Sequence, residues 1–155
     1  MTTDTISPTL PLTRVLDEGY GPGAWHGADI KAALADVTSA TAFWRPGKGR
    51  HNIAEIALHH AWCVRNVTSQ ISGGEPPAFP LEGADWLTLD DEKVISWPDI
   101  QRTLETQQKA LVATVGTPSL SSDKERFDLA LGVTCHAVYH AGQIQLIKVL
   151  RTGGR

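Results

Sequence analysis

The run Thr134-Cys135-His136-Ala137-Val138-Tyr139-His140-Ala141-Gly142-Gln143 lies in a long helical pattern near the end of the chain. Its two histidines, His136 and His140, are four residues apart, and this spacing places two side chains on one face of an α-helix, about 5–6 Å apart at Cβ. The apolar residues Val133 and Ile144 share that face, so the pattern predicts that both imidazoles point into a helical bundle. Two neutral imidazoles in this arrangement can bind one transition-metal ion.

A second pair of histidines, His59 and His60, lies in another helical pattern. One phasing of the apolar residues turns His60 inward and the neighbouring phasing turns His59 inward, so the pattern alone does not choose between them. Three histidines from two helices would leave room for a further metal ligand. The alternative is that inward-facing histidines bond to backbone or water, since an unpaired buried polar group costs about 1–3 kcal/mol.

Helix start and stop signals predict four principal helices and one short turn. Asn52 with Glu55 three residues later is a capping-box pattern, Ser96 precedes Pro98 and Asp99, and Ser122 opens the last pattern. The predicted helices cover residues 25–37, 52–71, 96–115 and 122–152, with a helical turn over 39–43. Residues 1–11 are predicted to be a flexible arm, followed by a short apolar turn around residues 12–16 and a single domain over 12–152.

These elements predict an all-α fold, because the chain shows no convincing strand pattern and no internal repeat. Four helices with one long crossover, over residues 75–96, indicate a four-helix bundle. Connections of this length in a compact domain are usually functional or cover a neighbouring element. Gly142, inside the last helix, is predicted to permit close contact with another helix.

Composition excludes some classes of function. The 155 residues carry a formal net charge of −3, and no Lys/Arg-rich run occurs, which argues against a nucleic-acid partner. The sequence also has no apolar stretch long enough to span a membrane, and its polar start does not resemble a signal peptide. We therefore expect a cytoplasmic protein whose two cysteines, Cys63 and Cys135, are reduced and buried in the core.

Several polar residues lie close to the histidines in the sequence. Glu55 is one turn before His59, which suits a catalytic proton acceptor, and the alternative is a solvated surface glutamate or a helix cap, which the capping box favours. Gln143 is one turn beyond His140 and is a candidate for substrate binding at a fourth coordination position, or for a hydrogen bond to a neighbouring helix. The histidines at helix starts, His26 and His51, are predicted to be surface or capping residues.

Four stretches of the chain resemble the DinB-like family of DNA-damage-inducible and YfiT-like candidate metalloenzymes. They are residues 25–27, 50–62, 95–97 and 136–144, and together they span about residues 20–150. The last is the most specific, because family members often read H-x-x-Y-H-x-G-Q-I there and this chain reads His136-Ala137-Val138-Tyr139-His140-Ala141-Gly142-Gln143-Ile144.

The resemblance implies a four-helix bundle with a divalent metal held by three histidines, one from the second helix and two from the last. The family pattern H/W-S-I-x-E-I-x-x-H places the second-helix ligand at His59. The implied site is therefore His59, His136 and His140 around nickel or zinc, with water completing the shell. Asn52 stands where the family commonly has Ser, and His60 stands where an aliphatic residue is usual.

The resemblance also implies an activity. Some family members are metal-dependent thiol S-transferases, so we expect a thiol transferase or hydrolase acting on a small molecule, with a low-molecular-weight thiol such as bacillithiol or mycothiol as co-substrate. The metal would lower the pKa of a bound thiol or water. The alternative is a non-catalytic metal-binding stress-response or sensor protein. Family members are often dimers, so a homodimer is expected; action on DNA is disfavoured by the acidic balance.

Overall fold

A computed structural model describes residues 9–83, 85–117 and 121–153. Every regular element in these ranges is an α-helix, which confirms the predicted all-α class. The helices are α1 (Thr9–Tyr20), α2 (Ile30–Leu34), α3 (Ser39–Ala42), α4 (Ile53–Ser72), α5 (Trp97–Val115) and α6 (Asp123–Arg151). None of the helices found in this part of the chain is both long and apolar enough to cross a bilayer.

The four longer helices form the bundle. Helix α4 packs against α5 and α6, and α1 packs against the same two neighbours, while the short α2 lies against α6. Two apolar clusters fill the interior. One is built around Ile56, Ile100 and Ile144, and the other joins Leu16 of α1 to Val64 of α4. The predicted four-helix bundle is therefore the observed architecture.

Local capping signals fix the ends of three bundle helices. The Asn52 side chain accepts a hydrogen bond from the Glu55 backbone and Glu55 bonds back, so the predicted capping box forms. Gly73 ends α4 with a φ of 68°, a left-handed conformation that glycine adopts without strain. Ser96 and Ser122 cap α5 and α6 as predicted.

The predicted long helix over residues 25–37 is wrong, because only Ile30–Leu34 is helical. Gly27 has a φ of 127°, which no helix contains, and the Asp29 side chain caps the helix by accepting from the Ala32 backbone. Trp25, at the start of the predicted helix, is 91% exposed. The cap at Asp29 therefore sets the start of α2, and the apolar pattern before it is not helical.

The first bundle helix is instead α1, where only a short apolar turn was expected. The helix begins at Thr9, so residues 9–11, assigned to the flexible arm, belong to it, and residues 1–8 of that arm lie outside the described residues. Proline at position 11 is compatible with α1 because backbone N–H groups of a first helical turn have no intrahelical partner. The single domain over residues 12–152 stays a prediction.

The glycine that permits close helix contact is Gly19, on α1. A Cβ added there would lie 2.9 Å from both the Thr134 carbonyl oxygen and the Ala137 Cβ of α6. The hydroxyl of Thr134 also donates to the Val15 carbonyl at 3.1 Å. A Cβ added at Gly142 would meet no other atom within 4 Å, so the close contact predicted there is wrong.

Packing of α1 against the bundle can be tested with Leu16→Ala. Because the Leu16 side chain is buried, we expect the free energy of unfolding to fall by about 2–5 kcal/mol, measured by urea denaturation. Val94→Ala is the control, since Val94 is 61% exposed and surface changes usually stay within about 0.5 kcal/mol. Equal stabilities of the two variants would show that α1 does not pack as described.

Candidate metal centre

The facing sides of α4 and α6 carry a cluster of metal-binding side chains. Helix α6 contributes His136 and His140, and α4 contributes His59 and Cys63, again four residues apart. Each pair shares a helix face because of this spacing. Since α4 packs directly against α6, the two pairs meet inside the bundle.

The Nε2 atoms of His59 and His140 both lie close to the Nε2 atom of His136. His136 Nε2 lies 3.2 Å from His59 Nε2 and 3.0 Å from His140 Nε2. Imidazole nitrogens bound to one tetrahedral zinc at about 2.0–2.1 Å would be about 3.3 Å apart. Two of the three distances among the predicted ligands are therefore close to the spacing that a shared ion requires.

Two of these histidines have their proton placed by a neighbour. His59 Nδ1 lies 2.9 Å from the Asp85 carbonyl oxygen, which can only accept, so the proton is on Nδ1 and Nε2 keeps its lone pair. In the same way His140 Nδ1 donates to Gln143 Oε1 at 2.6 Å. The Gln143 amide is itself oriented by donating to the Tyr139 hydroxyl at 3.1 Å.

This proton placement fits a cation. The lone pairs of His59 and His140 both approach His136 Nε2. A single proton on that atom makes one good hydrogen bond, whereas one metal ion would bind all three nitrogens. Hydrogen bonds from the remote ring nitrogen to a carbonyl or amide are the usual way in which proteins orient metal-binding histidines.

Burial keeps the imidazoles neutral, as metal binding requires. Desolvation lowers the pKa of His59 and of His136, and it lowers the pKa of His140 to about 4. His60 is fully buried, and desolvation together with the neighbouring histidines holds its pKa well below the ordinary value. At neutral pH all four rings therefore offer uncharged nitrogens.

Cys63 is a candidate ligand that the sequence interpretation placed in the apolar core. Its sulfur lies 3.7 Å from His59 Nε2 and 3.8 Å from His136 Nε2, and the ligand atoms of these three residues lie within 4.8 Å of one another. Burial raises the pKa of the thiol to about 11. The i, i+4 spacing from His59 was the available signal. Cys135 is exposed, so its predicted burial is wrong.

Comparison with known families agrees with this geometry. The family model of the DinB superfamily matches residues 24–144, which include every residue of the cluster. The chain belongs to the DinB superfamily. No curated protein and no solved structure gave a significant match. The resemblance inferred from the sequence is thus confirmed at the level of the family.

The crossover segment of this DinB-superfamily chain covers the histidine cluster, as such long connections often do. In addition to the Asp85 carbonyl, it places the Trp86 ring against the His59 ring, with centroids 3.8 Å apart. The other face of Trp86 stacks on His51 at 3.9 Å. The tryptophan therefore restricts rotation of the His59 ring from one side.

Glu55 ties this segment to α4. Its buried carboxylate accepts five hydrogen bonds, from two Arg45 nitrogens, His51 Nδ1 and the backbone N–H groups of Asn52 and Leu89. Burial alone would raise the pKa of Glu55, but the bonds from Arg45, Leu89 and His51 hold it below the usual value. These contacts assign Glu55 a structural role, and its catalytic role stays a prediction.

The remaining predicted residues lie around the cluster. Gln143 bonds to His140 and Tyr139 within its own helix, and its predicted contact with substrate stays a prediction. His26 is an exposed residue whose ring bonds the Glu18 carbonyl. His51 is half-exposed and contacts Glu55. His60, left open against His59 by the apolar pattern, lies on the other side of His136.

The ion pair at Glu55 predicts a pH-dependent stability. Because the folded-state pKa of Glu55 lies below the ordinary 4.5, its carboxylate stabilises the fold above that pH, and this contribution is lost as the pH falls through the lower folded-state pKa. At pH 7, Glu55→Gln should lower the free energy of unfolding by about 1.5–3 kcal/mol. The difference in the free energy of unfolding between this variant and wild type should become smaller below pH 4.5, as measured by urea denaturation.

The matched control is Glu105→Gln, because Glu105 forms an exposed i, i+4 pair with Lys109 and such pairs contribute little. Its stability should follow the wild-type pH profile closely. If the difference in unfolding free energy between Glu55→Gln and wild type stays constant from pH 7 into the acid range, the proposed ionisation is contradicted.

Proposed function

We propose that this protein is a divalent-metal-dependent enzyme of the thiol S-transferase type, with His59, His136 and His140 as metal ligands. The observation that carries the proposal is the convergence of three Nε2 atoms, two of which have their lone pairs fixed by Asp85 and Gln143. Neutral imidazoles suit both nickel and zinc, the two metals that the family resemblance implies.

The metal, when bound, would act as a Lewis acid that lowers the pKa of a thiol or water. Since the three imidazoles add no negative charge, they leave that acidity undiminished. The residues of this chain orient the site: the Asp85 carbonyl and Trp86 hold His59, and Gln143 holds His140. A low-molecular-weight thiol as co-substrate is proposed from the family resemblance.

Access to the cluster supports a reaction at its outer side. His136 and Cys63 are only partly buried, so a small molecule can approach past them. Between α4 and the crossover segment, the cavity beside His59 has a volume of about 10 Å³, which is close to the minimum for one water molecule. Thiol and electrophile would therefore enter from the side of His136 and Cys63.

The proposed reaction forms a carbon–sulfur bond. The thiol gives up its proton to solvent, its sulfur attacks an electrophilic carbon, and the leaving group departs with the bonding electron pair. With chlorodinitrobenzene as electrophile, the carbon–chlorine bond breaks and chloride is released. The enzyme would accelerate this reaction by holding the two reactants close together and by lowering the pKa of the thiol.

The position of Cys63 favours a second function, that of a non-catalytic metal-binding stress-response or sensor protein. Its sulfur lies close enough to the histidine nitrogens to act as a fourth ligand after a small side-chain movement. Four protein ligands form the closed shell that is typical of structural zinc sites, whereas catalytic sites keep a position open. Whether the Cys63 sulfur binds the metal thus separates the two functions.

A homodimer is also proposed, and the outer face of α6 supports it. Leu131, Tyr139 and Leu146 are exposed there, and their spacing of seven or eight residues places them on one side of the helix. Contiguous apolar faces of this kind often mark protein contacts. A second copy of α6 would remove these side chains from water.

Metal binding is the first property to measure. We expect about one nickel or zinc ion per chain by elemental analysis after dialysis, because the Nε2 atoms of His59 and His140 both lie close to that of His136. His59→Ala and His140→Ala should lose the metal while staying folded by circular dichroism. His26→Ala, which removes an exposed histidine outside the cluster, should keep it. Unchanged metal content in His140→Ala would refute the site.

The same measurement separates the two candidate functions through Cys63→Ser. In a three-histidine site this variant should keep its metal and its affinity. A large loss of affinity, together with loss of the thiolate-to-metal charge-transfer absorption of the cobalt-loaded protein, would support the closed four-ligand site and the sensor function.

Thiol transfer is tested directly with a small thiol and chlorodinitrobenzene. Metal-loaded wild type should release chloride and form the thioether faster than the metal-free protein or His140→Ala, because only the loaded site lowers the pKa of the thiol. His26→Ala serves as the matched control and should retain full activity. A rate that does not depend on bound metal would exclude this mechanism.

A further inference from the structure

A fourth histidine contacts the cluster from the inside. His60 is 1% exposed, and its Nδ1 lies 2.9 Å from the Nδ1 of His136. This contact is made by a different ring nitrogen of His136 from Nε2, which faces His59 and His140. His136 therefore uses one ring nitrogen toward the candidate metal position and the other toward His60.

The short Nδ1···Nδ1 contact must contain one proton. Two protonated nitrogens would repel each other at this distance, and two bare lone pairs would leave both buried atoms unsatisfied. When His136 binds a metal through Nε2, its own proton is on Nδ1. The Nδ1 of His60 then accepts a hydrogen bond from His136 Nδ1, and His60 carries its own proton on Nε2.

In the metal-free protein the hydrogen bond between the same two Nδ1 atoms can run in the opposite direction. The lone pairs of His59 and His140 both point at His136 Nε2, which favours a proton on that atom. His136 Nδ1 then carries a lone pair, and His60 supplies the donor from its own Nδ1. A carboxylate or backbone carbonyl at this position could only accept, whereas a neutral imidazole can accept or donate.

We propose that His60 is a positioning residue for His136, whose hydrogen bond to His136 reverses direction when metal binds. The proposal rests on the three-histidine metal site described above. His60 keeps the His136 ring aligned and the Nδ1 of His136 satisfied in both the empty and the loaded site.

Two substitutions separate positioning from packing. His60→Leu fills the buried volume but can neither accept nor donate, and it should weaken Zn²⁺ binding by about 10–100-fold, as loss of an orienting partner usually does. His60→Asn places an amide near the position of Nδ1, and rotation of this amide presents either its oxygen or its nitrogen. It should recover most of the affinity lost in His60→Leu.

Zn²⁺ affinity is measured by competition with a chelator, alongside thermal unfolding of the metal-free variants. Val64→Ala is the control for packing, since Val64 is buried in α4 within the second apolar cluster; it should lower stability and leave Zn²⁺ affinity unchanged. Equal affinity of wild type and His60→Leu would overturn the proposal. Equal weakening in His60→Leu and His60→Asn would show a packing role and would also overturn it.

Nitrogen-15 NMR of the imidazoles tests the reversal itself. His60 should carry its proton on Nδ1 in the metal-free protein and on Nε2 in the Zn²⁺-loaded protein. The same tautomer in both states would overturn the reversal. If wild type binds neither Zn²⁺ nor Ni²⁺, the metal site is refuted and this inference with it. If wild type binds Zn²⁺ and the His60 variants bind it equally well, only the inference fails.

Discussion

A buried carboxylate at the start of α4 holds the candidate metal centre in shape. The charge of Glu55 is almost fully removed from water, and a buried charge is tolerated only when it is paired and hydrogen-bonded. Arg45 and the Leu89 backbone supply those bonds, so the crossover segment is fastened to α4. The same segment presents the Asp85 carbonyl that fixes the proton of His59. An ion pair one turn away thus helps to hold the segment whose carbonyl fixes the proton of a candidate metal ligand.

The pattern of hydrogen bonds in the histidine cluster depends on the single proton that each neutral imidazole carries. Each neutral ring has one proton for two nitrogens, so a partner at one nitrogen decides what the other can do. Asp85 and Gln143 leave lone pairs on His59 and His140, and His136 lies between them with His60 behind it. Burial supports this arrangement because it disfavours the charged forms of all four rings.

The accuracy of the sequence predictions depended on how local each signal was. Helices α4, α5 and α6 were predicted well because their caps are encoded within four residues. Helix α1 was missed because it packs against residues far away in the sequence, as at the close approach of Gly19 to α6, and local pattern does not show such contacts. The i, i+4 pair on α6 was visible from spacing alone. The parts played by Cys63 and the Asp85 carbonyl depend on packing and on backbone placement, so sequence reasoning could not supply them.

The ambiguity between His59 and His60 has a physical explanation. Successive helical residues differ by about 100° in direction, and His136 of the facing helix reaches between them, with Nε2 toward His59 and Nδ1 toward His60. Both are therefore inward-facing, and an apolar stripe cannot rank them. What distinguishes them is the ring atom of His136 that each one contacts. His59 shares the Nε2 side with His140 and can be a ligand, whereas His60 contacts the nitrogen that a ligating His136 turns away from the metal.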